Sequence, residues 1–266
     1  MTRIALIGAP TDVNSSFLRG PAEAPAHIRS ALWSDAGNAA CENGLELGRE
    51  IQVEDQGDLP LTEDAADHDR IVEAVRAAAA SGAVPITLGG DHAVSWPAVE
   101  GIAAVHGPVR ILHFDAHPDL YDDFDANPRS HASPFARIME RGLCSRLVQV
   151  GVRTLNHHCR AQAQRFGVQI IGMRDFDALA APVLDGPLYV SIDLDGLDPA
   201  YAPGVSHHEP GGLSVRQLLD VLQRQTARLV GADVVELNPR RDLNGMTAAV
   251  AAKLVKELAG LAGANA

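Results

Sequence analysis

Cysteine is scarce in this chain of 266 residues, and long apolar runs and positive charge are scarce as well. The three cysteines, Cys41, Cys144 and Cys159, are an odd number at wide and irregular spacings. This pattern argues against a disulfide framework and against a thiolate metal site, so we expect three free thiols.

The charge balance argues against a general binder of nucleic acids or anionic membranes. Lys and Arg number 22 against 34 Asp and Glu, which gives a formal net charge of -12 at pH 7. No basic run offsets this acidic excess. We therefore predict no nucleic-acid partner, whereas a small cationic substrate is compatible with the charge.

The apolar segments are too short to cross a membrane, which would take roughly 18 consecutive apolar residues. Residues 1–7 enter a strand pattern directly, without an apolar signal core or a small-residue cleavage site. These observations predict no membrane partner and a cytoplasmic location.

Strand and helix patterns alternate along the whole chain. Strands are predicted at 3–8, 50–54, 84–88, 109–114, 146–152, 168–172, 187–193 and 229–236, and the clearest helices at 67–80, 215–225 and 246–261. Several strands are apolar throughout, which is typical of a parallel sheet with helices on both faces. Nothing in the composition calls for a second domain, so we predict a single α/β domain over residues 1–266.

Two of the predicted strands run directly into short motifs of aspartate and histidine. The residues concerned are Asp115, His117, Asp119, Asp193 and Asp195. Alternate side chains on an extended backbone point the same way, and ligand crevices of α/β sheets lie at the carboxyl ends of strands. Four carboxylates cannot share a small pocket without cations, so the pair of motifs indicates a two-metal hydrolase.

A third strand pattern ends in Gly89 and Gly90, which are followed by Asp91 and His92. The glycines permit a tight turn that would aim His92 into the same crevice, as a sixth candidate ligand. Taken alone, such a segment is equally well interpreted as a loop, and a lone Asp after a strand as a cap or turn residue. The metal interpretation depends on the three motifs together.

Two polar loops follow the metal motifs and are predicted to lie at the mouth of the site. The loop at 121–133 is rich in aspartate and contains His131, and the loop at 202–212 is rich in glycine and proline. We expect His207 and His208 of the second loop at the rim rather than among the ligands. A solvated surface loop is the alternative for the first.

Four segments, in this order, resemble the signatures of the ureohydrolase family, which includes arginases and agmatinases. They are Gly-Gly-Asp-His at 89–92, Asp-Ala-His-Pro-Asp at 115–119, Ser-Ile-Asp-Leu-Asp-Gly-Leu-Asp-Pro at 191–199 and Glu-Leu-Asn-Pro at 236–239. The two loops are similar to those of plant-type arginases and their bacterial relatives. The resemblance implies a three-layer α/β/α sandwich around a parallel sheet of about eight strands, and a homo-oligomer that is a trimer or a hexamer.

The resemblance also implies two divalent metal ions per chain. It assigns Asp115 and Asp193 as bridging ligands, His92 and Asp119 to the first site, and His117 and Asp195 to the second. Carboxylate and imidazole ligands together favour Mn²⁺, although Fe, Co, Ni and Zn are accepted by such sites. The fold also hosts deacetylases with a single zinc, which is an alternative that metal counting would test.

The implied reaction converts a small cationic guanidino compound into urea and an amine. Glu236 would bind the guanidinium, Asp119 would relay a proton to the departing amine, and His131 would exchange a proton with solvent. Arginase acting on L-arginine is our first expectation and agmatinase the second. Other guanidino compounds, including guanidine, and a metal-binding relative without turnover are the remaining alternatives.

Further substrate contacts are predicted at the rim of the site. Asn127 could meet a substrate carboxylate, and Asp177 could hold a substrate ammonium. Hydrogen bonds that orient the metal ligands are expected from Asp91, Ser191 and Asp198.

Overall fold

One parallel sheet of eight strands forms the centre of the computed structural model, which describes residues 1–266. The strands are β1 (Thr2–Ala9), β2 (Ile51–Asp58), β3 (Val84–Gly89), β4 (Val109–Phe114), β5 (Cys144–Val152), β6 (Gln169–Gly172), β7 (Leu188–Asp193) and β8 (Leu229–Val235). They lie in the order β2-β1-β3-β8-β7-β4-β5-β6, and all neighbours are parallel.

Seven helices cover both faces of this sheet. They are α1 (Ala24–Leu32), α2 (Asp67–Ala80), α3 (Ser95–His106), α4 (Pro134–Glu140), α5 (His157–Phe166), α6 (Val215–Gln223) and α7 (Met246–Ala264). Apolar residues of α1, α6 and α7 pack on one face, and those of α2 to α5 pack on the other. The predicted three-layer sandwich is therefore confirmed. None of the helices combines the length and the apolar character needed to cross a membrane.

The central strands are buried on both sides, which explains why they are apolar throughout. In β4, Ile111 belongs to the core beneath α2 to α5, whereas Leu112 and Phe114 belong to the core beneath α1, α6 and α7. All residues of β7 and β8 are buried. A parallel sheet needs this composition because helices exclude water from each face.

The edge strand β2 is longer than the predicted strand at 50–54. It continues to Asp58 through the polar sequence Glu54-Asp55-Gln56-Gly57 and pairs only with β1. An edge strand keeps one side open to solvent, so polar residues are tolerated there and the apolar pattern ends before the strand does. The helix predicted at 215–225 ends at Gln223, and the one predicted at 246–261 continues to Ala264.

The topology brings the ends of the central strands together. Because all eight strands run in the same direction, the residues that follow β3, β4, β7 and β8 lie along one edge of the sheet. The segments after β3, β4 and β7 contain the aspartate and histidine motifs, and the segment after β8 begins with Glu236. The fold therefore gathers four distant parts of the chain into one region.

We predict that Leu112→Ala strongly destabilises the protein. Leu112 lies in a central strand and is completely buried, so its truncation leaves a cavity and should cost about 2–5 kcal/mol. The measurement is the midpoint of unfolding in urea. Leu243→Ala is the control because Leu243 is 61% exposed, and an equal loss in both variants would contradict this account of the core.

Candidate metal centre

His92 lies at the centre of a cluster of buried carboxylates. Its Nδ1 atom is 3.2 Å from Asp115 Oδ2, 2.9 Å from Asp119 Oδ2 and 3.0 Å from Asp193 Oδ2. Asp115 directly follows β4, Asp193 ends β7, and His92 begins a 3-10 turn after β3. One ligand atom from each of these four residues lies within 4.8 Å of the others, as a single bound cation requires.

A second cluster lies beside the first and shares one residue with it. His117 Nδ1 is 3.4 Å from Asp115 Oδ1 and 3.1 Å from Asp195 Oδ2. Asp115 therefore presents one oxygen to each cluster. Asp193, the other residue expected to bridge, contributes a ligand atom to the His92 cluster only.

The hydrogen bonds around His92 leave its Nδ1 atom free for a metal ion. Ser191 donates its hydroxyl proton to Asp233 Oδ1 at 2.7 Å, so at 3.0 Å it accepts a proton from His92 Nε2. With the ring proton on Nε2, Nδ1 keeps its lone pair. This buried atom has no hydrogen-bond partner and faces three carboxylates, and such a donor set fits a divalent cation.

Electrostatics within the clusters also call for positive charge. Burial, followed by repulsion from Asp195 and Asp115, raises the pKa of Asp193 well above its ordinary value. Burial and Asp115 outweigh the opposing effect of His117 and raise the pKa of Asp195 to about 6. Although burial opposes a charge on His92, the surrounding carboxylates raise the pKa of that ring well above its ordinary value. Bound cations would remove this unfavourable concentration of negative charge.

A row of buried polar residues lies in the sheet next to the ligands. It crosses five neighbouring strands in register and consists of Thr87, Asp233, Ser191, His113 and Gln149. We call these five residues the polar row. Asp115 and Asp193 follow His113 and Ser191 by two positions, so ligands and row share one face of the sheet.

The polar row fixes the orientation of the ligands through hydrogen bonds. Gln149 Nε2 lies 3.1 Å from His113 Nδ1, and His113 Nε2 lies 2.9 Å from Asp115 Oδ2. Since Gln149 donates to Nδ1, the ring carries its proton on Nε2 and donates it to Asp115. Burial lowers the pKa of His113, which agrees with a neutral ring. Tyr189 donates to Asp233 Oδ2 at 2.6 Å and completes the chain that leads to His92.

Glu236 and His131 form a pair at the side of the clusters. His131 Nδ1 is 2.8 Å from Glu236 Oε1, and the same oxygen accepts the His92 backbone N–H at 2.9 Å. Although burial opposes it, the Glu236 carboxylate raises the pKa of His131 to about 9. At the other ring nitrogen, His131 Nε2 lies 3.2 Å from the Ser16 backbone nitrogen and 2.8 Å from the Ser16 hydroxyl oxygen, so Ser16 holds the ring from the opposite side.

Two residues of the site adopt a backbone conformation that is uncommon outside glycine. Asp119 has φ 47° and Glu236 has φ 67°. Both are held by backbone hydrogen bonds, since Phe135 N–H donates to the Asp119 carbonyl at 3.2 Å and Glu236 N–H donates to the Gly90 carbonyl at 2.9 Å. Such conformations cost about 1–3 kcal/mol each and are concentrated at functional sites.

The clusters open into a cavity of about 300 Å³. Its lining includes five acidic residues and three histidines, namely Asp119, Asp193, Asp195, Glu209, Glu236, His117, His131 and His207. No lysine or arginine lines it. A cavity of this size accommodates a small molecule, and its charge favours a cation.

Two residues predicted to contact substrate do not line this cavity. Asn127 donates to Asn14 Oδ1 at 3.2 Å and accepts the Arg129 N–H, so it holds its own loop. Asp177 caps a separate 3-10 turn by accepting the Leu179 N–H at 2.8 Å. Their assignment to substrate binding stays a prediction that the lining of the cavity does not support.

The residues expected to orient the ligands act in different ways. Ser191 contacts His92 directly, as described above. Asp91 is fully buried and accepts the Asn14 and Ala93 N–H groups. Asp198 accepts the N–H groups of Gly211 and Gly212 at 2.7 and 3.1 Å, and thus holds the second loop rather than a metal ligand.

Arg153, which the sequence did not single out, joins three parts of the site. It donates to the carbonyls of Gly151, Asp195, Gly196, Leu197 and Glu209. The turn that carries Asp195 and the loop that carries His207 are therefore attached to one guanidinium at the end of β5. Sequence patterns could not reveal this role because all of these contacts are to backbone carbonyls.

Comparison with known proteins places the chain in a family. A profile described as "Arginase family" matches residues 2–260. The chain is 50% identical to Arginase 1, mitochondrial, of Arabidopsis thaliana over 96% of this chain and 80% of the relative. It is 47% identical to Arginase 2, chloroplastic/mitochondrial, of the same organism over 96% and 79%. A solved structure, arginase from Medicago truncatula, matches with a TM-score of 0.94 and 45% identity over 98% of this chain and 87% of that chain.

The predicted cytoplasmic location is wrong by this comparison. Both Arabidopsis relatives are named as proteins of mitochondria or chloroplasts. The prediction rested on the lack of an apolar signal core, a cleavage-type site and a membrane-length apolar run, and none of these observations identifies an organelle.

The resemblance noted in the motifs is thus confirmed over nearly the whole length of the chain. The family agrees with the eight-stranded parallel sheet and with clustered histidine and aspartate ligands for a binuclear divalent metal site. It also confirms the expectation of an arginase-type hydrolase. We conclude that this chain belongs to the arginase family.

Proposed function

We propose that this protein hydrolyses the guanidino group of L-arginine to give urea and L-ornithine. The observation that carries the proposal is the pair of carboxylate and imidazole clusters beside Glu236, at one end of a cavity without basic residues. The arginases of Arabidopsis and Medicago, at 50% and 45% identity, support the choice of substrate.

The metal ions are proposed to be Mn²⁺. One would be held by His92, Asp115, Asp119 and Asp193, and the other by Asp115, His117 and Asp195. Oxygen ligands predominate in both sets and each has one imidazole, which suits Mn²⁺. When bound, two such ions lower the pKa of a water molecule toward neutrality and so supply a nucleophile.

Glu236 is proposed to bind the guanidinium group of the substrate. Its Oε1 atom already accepts hydrogen bonds from the His92 backbone N–H and from His131 Nδ1, whereas Oε2 accepts no hydrogen bond and is available to a ligand. A carboxylate beside a planar guanidinium forms short charge-assisted hydrogen bonds and fixes the plane of the group. The hydrogen bond from the Glu236 backbone N–H to the Gly90 carbonyl limits the movement of this residue.

Asp119 and His131 are proposed to move protons. Hydrolysis adds the oxygen of water to the guanidinium carbon and breaks the bond from that carbon to the amine nitrogen, which must leave with a proton. Asp119 lines the cavity among the clusters and can carry a proton from water to that nitrogen. His131 also lines the cavity and can exchange a proton with solvent.

Agmatine is the second candidate substrate, and the lining of the cavity favours it. Agmatine lacks the α-carboxylate of arginine, and no lysine or arginine is present in the lining to pair with that carboxylate.

We further propose that residues 1–266 form one domain and that the chain assembles into a homo-oligomer. Family resemblance is the support for the oligomer.

The function is tested by urea release from L-arginine, agmatine, 4-guanidinobutyrate and guanidine, with Mn²⁺ and Ni²⁺ in parallel. We expect the highest kcat/KM with L-arginine and Mn²⁺, followed by agmatine. A higher kcat/KM with agmatine would replace the first candidate by the second. Absence of urea with all four compounds would refute hydrolase function.

Removal of the metal ions is predicted to lower the thermal stability of the protein. Chelation leaves the buried carboxylates uncompensated, and a ligand at 100 times its Kd contributes about 2.7 kcal/mol. We expect Tm to fall by about 5 °C or more and to recover when Mn²⁺ is added back. Elemental analysis of the untreated protein should find two metal ions per chain, and one tightly bound zinc would contradict the assignment.

His131→Asn is predicted to lower turnover by about 10²- to 10⁴-fold while metal content stays at two ions per chain. The reason is that His131 exchanges protons and is absent from both ligand clusters. The measurements are kcat and metal content for the same preparation. His106→Asn, at the end of α3, is the matched control, and an unchanged kcat for His131→Asn would remove it from the mechanism.

A further inference from the structure

Among the five acidic side chains that line the cavity, Glu209 is the one with the weakest contact, a single ion pair with His117 at 3.8 Å. Asp119, Asp193 and Asp195 lie beside His92 or His117, and Glu236 is paired with His131. The Glu209 carboxylate accepts no hydrogen bond. Its nearest basic group is His117 Nε2 at 3.8 Å, which is beyond hydrogen-bond distance.

Glu209 also differs from the other four acids in its exposure. Its side chain is 38% exposed, whereas those of the other four are nearly buried. It therefore lies at the open side of the cavity, and Glu236 lies at the buried side. A substrate whose guanidinium contacts Glu236 would extend toward Glu209.

The backbone of Glu209 is held in place from both sides. Arg153 donates to its carbonyl through Nε at 2.8 Å, and Gly211 N–H, two residues further on, donates to Asp198 Oδ2 at 2.7 Å. The carboxylate thus extends from a fixed loop into the mouth of the cavity. A binding group that is already positioned loses little conformational entropy when a ligand arrives.

Two neutral polar side chains at the mouth, Thr154 and Asn156, are already engaged in hydrogen bonds. Thr154 donates to the Ala116 carbonyl at 3.0 Å, and Asn156 donates to the Tyr121 hydroxyl at 2.5 Å. No lysine or arginine lines the cavity, and the nearby Arg153 donates to the Glu209 carbonyl rather than to its carboxylate. The charge at the mouth is therefore negative, and it attracts an ammonium group and repels a free carboxylate.

We propose that Glu209 determines substrate specificity by binding the ammonium group at the end of the substrate opposite the guanidinium. This inference rests on the proposed function and adds a substrate class to it. The site selects guanidino compounds that carry a distal ammonium, such as L-arginine and agmatine, over guanidino acids.

The test compares wild type with Glu209→Gln, both loaded with Mn²⁺, on L-arginine, agmatine and 4-guanidinobutyrate. We expect KM to rise roughly three- to tenfold for the two compounds with an ammonium, because one partly exposed charged hydrogen bond is lost. For 4-guanidinobutyrate, KM should stay the same or fall, since repulsion of its carboxylate is removed. Values of kcat should remain within about twofold for all three compounds.

Two further variants control for other effects of the substitution. Glu73→Gln makes the same charge change on the exposed face of α2 and should leave all three KM values unchanged. Glu209→Asp keeps the charge and should restore part of the preference for substrates with an ammonium. Metal content is measured in every variant, and two ions per chain are expected throughout.

Three results would overturn the proposal. An equal rise in KM for all three substrates would show that Glu209 does not distinguish the distal group. A loss of kcat together with loss of metal would show that Glu209 acts on His117 instead. No urea from wild type with any of the three substrates would refute the proposed function itself, and the wild-type measurement alone reveals that outcome.

Discussion

The burial of several carboxylates in one small site is the constraint on which the rest of this structure depends. Asp115, Asp119, Asp193 and Asp195 approach each other so closely that burial and mutual repulsion raise the pKa of Asp193 well above its ordinary value. Such a site is stable only when cations and hydrogen-bond donors compensate the negative charge. His92, whose bare Nδ1 atom faces three of these carboxylates, supplies neither a cation nor a donor there, so the compensation has to come from bound metal ions.

The parallel sheet brings the metal ligands to one place, and the polar row fixes the orientation of their side chains. Carboxyl ends of adjacent strands bring the ligands together, but each ligand has a side chain that can rotate. His113 and Ser191 restrict that rotation for Asp115 and His92, and they are themselves held by Gln149 and Asp233. Metal-ligating side chains are commonly oriented through such outer hydrogen bonds, and here one row of the sheet supplies them for both clusters.

The sequence predicted the fold and the six candidate ligands because both follow from local patterns. Strand periodicity is local, and the ligands immediately follow strands, so Asp115 and Asp193 could be placed without knowledge of the loops. Asn127 and Asp177 lie in segments whose course depends on distant contacts, which no spacing rule describes. A histidine or an aspartate within an apolar strand, such as His113 or Asp233, was the available signal for the polar row, and it was missed.

The polar row has a consequence for how members of such a lineage can diverge. A slip of one residue in any of its five strands would move a polar group into an apolar layer, and in β3, β4 or β7 it would also displace the metal ligands that follow the strand. Insertions in the loops leave strand pairing intact and cost little in chain entropy. The sheet should therefore keep its register over long evolutionary times while the loops at the cavity mouth change in length and sequence, so that new substrates are acquired around an inherited metal site.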